Sequence, residues 1–157
     1  MGEEKFIGSY EATLDKAGRL KIPERFRILL EGKYGPRLFI TSLENESVRL
    51  FPLPVWEEMT GTSEIQMAFI RSSYREFFLN AHGRGCSGEI DAKGRVLLPP
   101  RLRQKTGLRA VVTVVGLNNY LEVWDAERLE ARLDQHPLTG DEIDRFASLG
   151  PPVRKPE

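Results

Sequence analysis

The chain has 157 residues, 40% of them hydrophobic, and its 23 basic and 23 acidic side chains leave no formal net charge. That size and composition fit one folded domain or two small modules sharing a core, and they exclude a disordered chain. No apolar run approaches the roughly 20 residues of a membrane-spanning helix, and residues 1–5 lead into no signal-peptide core, so a soluble cytoplasmic protein is expected.

Along the chain, residues 10–14 alternate like a strand, and the pattern resumes over residues 19–22. Between them stands Asp15-Lys16-Ala17-Gly18. The aspartate is placed to accept backbone N–H bonds at the turn start, and the glycine supplies the φ > 0 position of a type I turn with a bulge. Pro23 ends the strand and opens a short helix, on which Phe26, Leu29 and Leu30 make one apolar face. Residues 37–41 and 47–51 form a second strand pair, and residues 54–59 a second helical piece. Ile65, Phe69, Ile70, Tyr74, Phe77 and Phe78 fall at helical spacing, so residues 63–80 read as a linking helix suited to core packing or to a subunit contact. The same series then returns. Strands are expected at 89–90 and 95–98, a helix from Pro100, strands at 110–115 and 120–124, and a helix at 125–133. Residues 137–157 carry a C-terminal helix and a proline-rich tail, residues 151–157, expected to be disordered.

The return is a copy. Asp15-Lys-Ala-Gly18-Arg19-Leu-Lys-Ile-Pro23-Glu-Arg25-Phe-Arg27 aligns without gaps on Asp91-Ala-Lys-Gly94-Arg95-Val-Leu-Leu-Pro99-Pro-Arg101-Leu-Arg103, at an offset of 76 residues. Downstream, Val48-Arg-Leu-Phe51 followed by Trp56 matches Leu121-Glu-Val-Trp124 followed by Leu129 more weakly. Twofold repetition means a duplicated supersecondary unit and excludes a solenoid. One such unit of short strands has little core of its own. Two packed about a pseudo-twofold axis would remedy that, closing the hairpins into a small barrel. This organises the chain as residues 1–62, a linker at 63–80, residues 81–136, and residues 137–157.

The zero total charge conceals an asymmetry. Residues 15–27 hold five basic against two acidic side chains, and residues 91–105 five against one, for local charges of +3 and +4. Residues 121–144 hold eight acids against Arg128 and Arg132, for −6. Binding responds to local potential, so the two matching basic segments are the candidate contact regions.

The string Gly8-Ser-Tyr10-Glu-Ala-Thr-Leu14-Asp15-Lys-Ala-Gly18-Arg19-Leu-Lys-Ile22-Pro23, with Glu89-Ile-Asp91-Ala-Lys-Gly94-Arg95-Val-Leu-Leu98-Pro99-Pro100, resembles the MraZ family. Residues 74–78 (YREFF), before the second motif, resemble it too, and the likeness spans roughly residues 6–135. It implies an α+β fold: a duplicated AbrB-like double-split β-barrel with flanking short helices and a pseudo-twofold axis. It further implies a ring-shaped homo-oligomer that binds direct repeats in double-stranded promoter DNA and regulates the division and cell-wall gene cluster, in the cytoplasm at the nucleoid. Ala12, where many members carry a polar residue, and the proline-rich tail depart from the pattern without touching the motifs.

The expected DNA-binding residues are Asp15, Lys16, Arg19, Asp91, Lys93 and Arg95. An arginine after a glycine bulge can present its guanidinium fork to a phosphate or a guanine edge. The aspartates would hold each arginine in one rotamer, and Lys16 and Lys93 suit phosphates. Arg25, Arg27, Arg101 and Arg103 read more readily as solvated helix faces, or as salt-bridge partners of the acidic C-terminal segment, than as DNA contacts. Few base-reading groups per protomer means that affinity should come from several protomers engaging repeated boxes.

No cofactor, metal, membrane or small-molecule substrate is expected, and no enzyme. Gly83-Arg-Gly85-Cys-Ser-Gly88 matches G-x-G-x-x-G, but a helix precedes it and a strand follows, the reverse of a dinucleotide fingerprint. His82 and His136 have no metal-ligand spacing, and Ser87 no nucleophile elbow. Glu57 and Glu58 are adjacent helix positions that do not converge. Cys86 alone excludes an internal disulfide and a structural zinc site, and reads as a half-buried strand residue. The remaining alternative is an AbrB-like protein-interaction module of the antitoxin kind, which usually adds a longer partner-binding tail.

Overall fold

The computed structural model describes residues 4–68 and 72–150. By its internal contacts the chain divides into a unit spanning Met1–Ala126 and a second spanning Glu127–Glu157. In the first unit, strands β1 (Phe6–Thr13) and β2 (Arg19–Lys21) are followed by helix α1 (Glu24–Leu29), which runs into a π-helical turn over Leu30–Tyr34. Strands β3 (Arg37–Thr41) and β4 (Val48–Pro52) and helices α2 (Leu53–Thr60), α3 (Ser63–Ala68) and α4 (Ser72–Arg84) complete the first series. Then come β5 (Cys86–Glu89), β6 (Arg95–Leu97), α5 (Pro100–Thr106), β7 (Val111–Asn118) and β8 (Leu121–Asp125). The described parts of the linker, Ser63–Ala68 and Ser72–Arg84, are helical as expected, and the second extends past the expected end to Arg84; Phe69 and Ile70 lie outside the described residues.

Among the described residues all pairing is antiparallel, in a six-stranded sheet ordered β1-β7-β8-β4-β3-β5 and a separate two-stranded ladder, β2-β6. The order reads the same when the two copies are exchanged: β1 of the first copy pairs with β7 of the second, and β5 of the second with β3 of the first. The central register obeys the same symmetry. Arg49 lies opposite Glu122, its counterpart in the repeat alignment, and Leu20 lies opposite Val96, its counterpart at the 76-residue offset. The copies are interleaved rather than set side by side.

The expected closure into a barrel is not met by this sheet. β1 and β5 are its two edges and do not pair with each other. Each edge strand ends at a turn, and the strand beyond it, β2 or β6, leaves the sheet to pair with its counterpart from the other copy.

Interleaving is what makes one core. Leu20, Ile22, Phe26, Leu30 and Leu38 of the first copy are buried with Val96, Leu98, Leu102, Val112 and Val123 of the second. Strands β3 and β4 are covered on both faces. Leu38, Ile40, Val48 and Leu50 point into that core, while the alternate residues Phe39 and Phe51 join Trp56 and Ala81 in a second, aromatic cluster. The exposed His82 lies against this cluster, with its ring 5.0 Å from Phe39 and 5.6 Å from Trp56. α4 thus has two sides: Phe78 and Ala81 are buried, whereas Tyr74, Phe77 and Leu79 are exposed.

At the centre of the sheet Glu122 is only 9% exposed. Its carboxylate accepts hydrogen bonds from the Ser47 hydroxyl (2.9 Å), the Trp124 indole N–H (2.9 Å) and the Tyr120 hydroxyl (3.2 Å), and Arg49 Nε stands 3.8 Å away. Asp125, 1% exposed, is held by Arg109 through two bonds of 3.0 and 2.8 Å. These two acids, counted in the acidic stretch on sequence, are structural.

The second unit comprises most of helix α6 (Ala126–Gln135) and helix α7 (Gly140–Leu149). Thr139 caps α7 by accepting from the Glu142 N–H at its hydroxyl oxygen, and the same hydroxyl donates to the Glu142 carboxylate. Ile143, Phe146 and Leu149 lie along one exposed stripe of this helix. No helix among the described residues is long and apolar enough to cross a membrane.

Candidate nucleic-acid interface

The two Asp-x-x-Gly-Arg motifs fold alike. In the first, Asp15 Oδ1 accepts from the backbone N–H groups of Ala17 (3.0 Å) and Arg19 (2.9 Å), and Oδ2 accepts from Arg19 Nε (2.8 Å). In the second, Asp91 Oδ1 accepts from the N–H groups of Lys93 and Arg95, both at 2.9 Å, and Oδ2 from Arg95 Nε at 3.1 Å. The Gly18 and Gly94 N–H groups close the turns onto Asp15 and Asp91 with bonds of 3.0 Å. Both glycines stand at positive φ, +88° and +77°, as the bulge requires. The backbone N–H of Arg19 holds the Asp15 carboxyl below the ordinary carboxylate range, helped by the Arg19 guanidinium and the Ala17 N–H. At Asp91 the Arg95 backbone N–H has the same leading role.

Each arginine is oriented by its Nε, and among the described residues no protein acceptor engages the Nη groups. The outcome is a guanidinium fixed at its base with donors left at its tip. Such pre-orientation lowers the side-chain entropy lost on contact with a ligand.

The β2-β6 ladder decides where these groups point. Arg19 lies opposite Leu97 and Lys21 opposite Arg95, while Leu20 and Val96 face the core. Arg19, Lys21, Arg95 and Leu97 therefore share the outer face of one two-stranded ribbon, and the tip residues Lys16 and Lys93 are exposed. Lys21 beside Arg95 is a like-charge cross-strand pair, unfavourable in the absence of an anion. Lys21, noticed in the sequence only as part of a charge count, joins Arg19 and Arg95 on this face. Its position two residues after Arg19 was the signal.

Arg27 and Arg103, expected as solvated helix faces or salt-bridge partners, are half-buried and lie against the turns. Arg27 Nη2 reaches across to the Ala92 carbonyl of the second turn (3.0 Å), and its Nε to Glu31 (3.0 Å). A Cβ built on Gly94 would lie 2.8 Å from the Arg27 side chain. Arg103 bonds the Leu98 carbonyl of its own copy (3.0 Å), and its guanidinium would stand 2.5 Å from a Cβ on Gly18 of the first turn. Each copy thus contributes an arginine that lies on the turn glycine of the other. Arg25 and Arg101 are exposed, as expected.

The G-x-G-x-x-G string runs from the end of α4 into β5, helix before strand. Cys86 is half-buried at the start of β5, and burial pushes its thiol pKa up, away from reactivity. Among the described residues no three His, Cys, Asp or Glu side chains gather as metal ligands. An apolar groove of about 440 Å³ lies between α2 and α4, lined by Trp56, Met59, Tyr74, Phe77 and Phe78 among others.

Residues 84–144 match a family model described as "MraZ protein, putative antitoxin-like". A protein of Herpetosiphon aurantiacus named "Transcriptional regulator MraZ" is 34% identical over 149 residues, covering 90% of this chain and 98% of its own. Proteins with the same name from Acidobacterium capsulatum and Leptothrix cholodnii are 31% and 34% identical, covering 92% and 88% of this chain and 99% and 94% of theirs. With identity sustained over nearly its whole length and both hairpin motifs present, the chain belongs to the MraZ family.

Proposed function

We propose that this chain is a sequence-specific DNA-binding transcriptional regulator whose β2-β6 ribbon enters the major groove. The observation that carries the reading is the shared face: two pre-oriented arginines, Arg19 and Arg95, stand on one exposed side of a two-stranded antiparallel ribbon. A ribbon of this width fits the major groove of B-form DNA, where arginine is the commonest reader of guanine. Lys16 and Lys93, at the turn tips, meet phosphates and set the register. Asp15 and Asp91 contact no DNA on this reading; they hold the arginines in place.

On the same reading, the open sheet and the ribbon together form a duplicated AbrB-like double-split barrel about a pseudo-twofold axis. The regulator works as a ring-shaped homo-oligomer on promoter direct repeats of the division and cell-wall gene cluster, in the cytoplasm at the nucleoid and without a cofactor. One ribbon offers few base contacts, so multiplication around a ring supplies the affinity.

The test is a gel shift on the repeat-bearing promoter at several salt concentrations, run beside size-exclusion chromatography. Arg19→Ala and Arg95→Ala should each weaken one ribbon's contact by about 1–3 kcal/mol and, multiplied over protomers, abolish the shift while the oligomer persists. Unchanged affinity in both single variants and in the double would overturn the site. Absence of wild-type binding at low salt would overturn the function. A protein-binding module of the antitoxin kind is favoured by the exposed stripe Ile143, Phe146 and Leu149, and the same wild-type result separates the two readings.

A further inference from the structure

The ribbon's outer face departs from its own symmetry at one position. Under the 76-residue offset Arg19 corresponds to Arg95, an identity, but Lys21 corresponds to Leu97. Leu97 is 55% exposed, lies directly opposite Arg19 and is two residues from Arg95 on the same face. A leucine there gains nothing from the cations around it, and its side chain points away from the core that holds Val96 and Leu98. What remains exposed is suited to an apolar group on whatever the ribbon contacts. In the major groove that group is the 5-methyl of thymine, the apolar mark on a surface otherwise composed of donors and acceptors.

We propose that Leu97 is a specificity residue that packs on a thymine methyl, while Lys21, at the equivalent place in the other half, takes an acceptor on a guanine edge or a phosphate. This rests on the ribbon entering the major groove as proposed above. Its consequence is directional: with arginine in both halves but leucine in one and lysine in the other, one protomer reads two unlike half-sites. A recognition box for a single ribbon therefore has an orientation.

The experiment uses the full chain and a duplex that it selects from a random-sequence pool. That duplex is resynthesised with deoxyuridine in place of thymine, which removes the methyl and preserves base pairing, and both forms are titrated by fluorescence anisotropy at one salt concentration. Wild type should bind the deoxyuridine duplex about fourfold more weakly for each methyl read, the value of one buried methyl group. Leu97→Ala should bind the thymine duplex more weakly than wild type and bind the two duplexes alike. Leu97→Lys, which copies the residue the other half already accommodates, should also be indifferent to the methyl, so a folding defect in either variant leaves the test standing. A selected box without thymine, equal wild-type affinity for both duplexes, or a thymine preference that survives in both variants would overturn the assignment while the proposed function stands. Selection of no duplex by wild type at low salt would overturn the proposed function instead.

Discussion

Replacing Gly18 by alanine perturbs two things at once, and the structure separates them. At φ +88° a Cβ is strained by about 1–2 kcal/mol, the cost of left-handed backbone for an L-residue. The same Cβ would stand 2.5 Å from the Arg103 guanidinium, which must move and give up its 3.0 Å bond to the Leu98 carbonyl, worth about 1 kcal/mol. The expected loss is therefore about 2–3 kcal/mol. In an Arg103→Ala background only the backbone part remains, so a double-mutant cycle by equilibrium urea unfolding should show a coupling of about 1 kcal/mol between residues 85 positions apart. Gly18→Asn, better tolerated at positive φ, should cost less than Gly18→Ala. Additive effects of Gly18→Ala and Arg103→Ala would refute the interlocking of the two turns. Equal costs for alanine and asparagine would refute the backbone share.

Three further outcomes follow from the same geometry. Glu122→Gln replaces one of the two oxygens, Oε1 accepting from Ser47 and Trp124 or Oε2 accepting from Tyr120, by an amide donor and removes the charge facing Arg49; it should cost about 2 kcal/mol by chemical denaturation. Asp15 and Asp91 have folded pKa values below the ordinary 3.8, so their contribution is complete above that pH and is lost as pH falls through the lower folded values. Thermal melting below about pH 4 should accordingly decline more steeply in wild type than in Asp15→Asn/Asp91→Asn. Lys16→Ala should weaken binding about evenly across DNA sequences and lower the salt dependence by about one ion per ribbon, whereas Arg19→Ala should relax the sequence preference; anisotropy titrations on selected and scrambled duplexes distinguish them.

Much of the candidate site is legible in the sequence, because its chemistry is local. Asp-x-x-Gly-Arg specifies its own turn through bonds spanning two to four residues, and these depend on nothing distant. The repeat is equally plain, and so are the short strands and the proline-started helices. Pairing is not legible. Strand β1 carries no mark that its partner is β7, over a hundred residues on, rather than a strand of its own copy. Hence the sheet's open edges, the swapped edge strands and the ribbon of β2 with β6 emerge only in the fold. Burial misleads in the same way: Glu122 and Asp125 count as acidic surface on sequence but lie inside, neutralised by Arg49, Arg109 and three neutral donors.

By itself, then, the sequence determined two hairpin tips, each with an aspartate holding an arginine, because turn and ion pair are made within five residues. The tertiary structure decided that both arginines share one face, that Lys21 and Leu97 stand between them, and that Arg27 and Arg103 cross to the opposite turns. Those relations depend on the antiparallel register of strands from different copies. That register follows from burying Leu20 and Val96 together, and hydrophobic burial carries no sequence address.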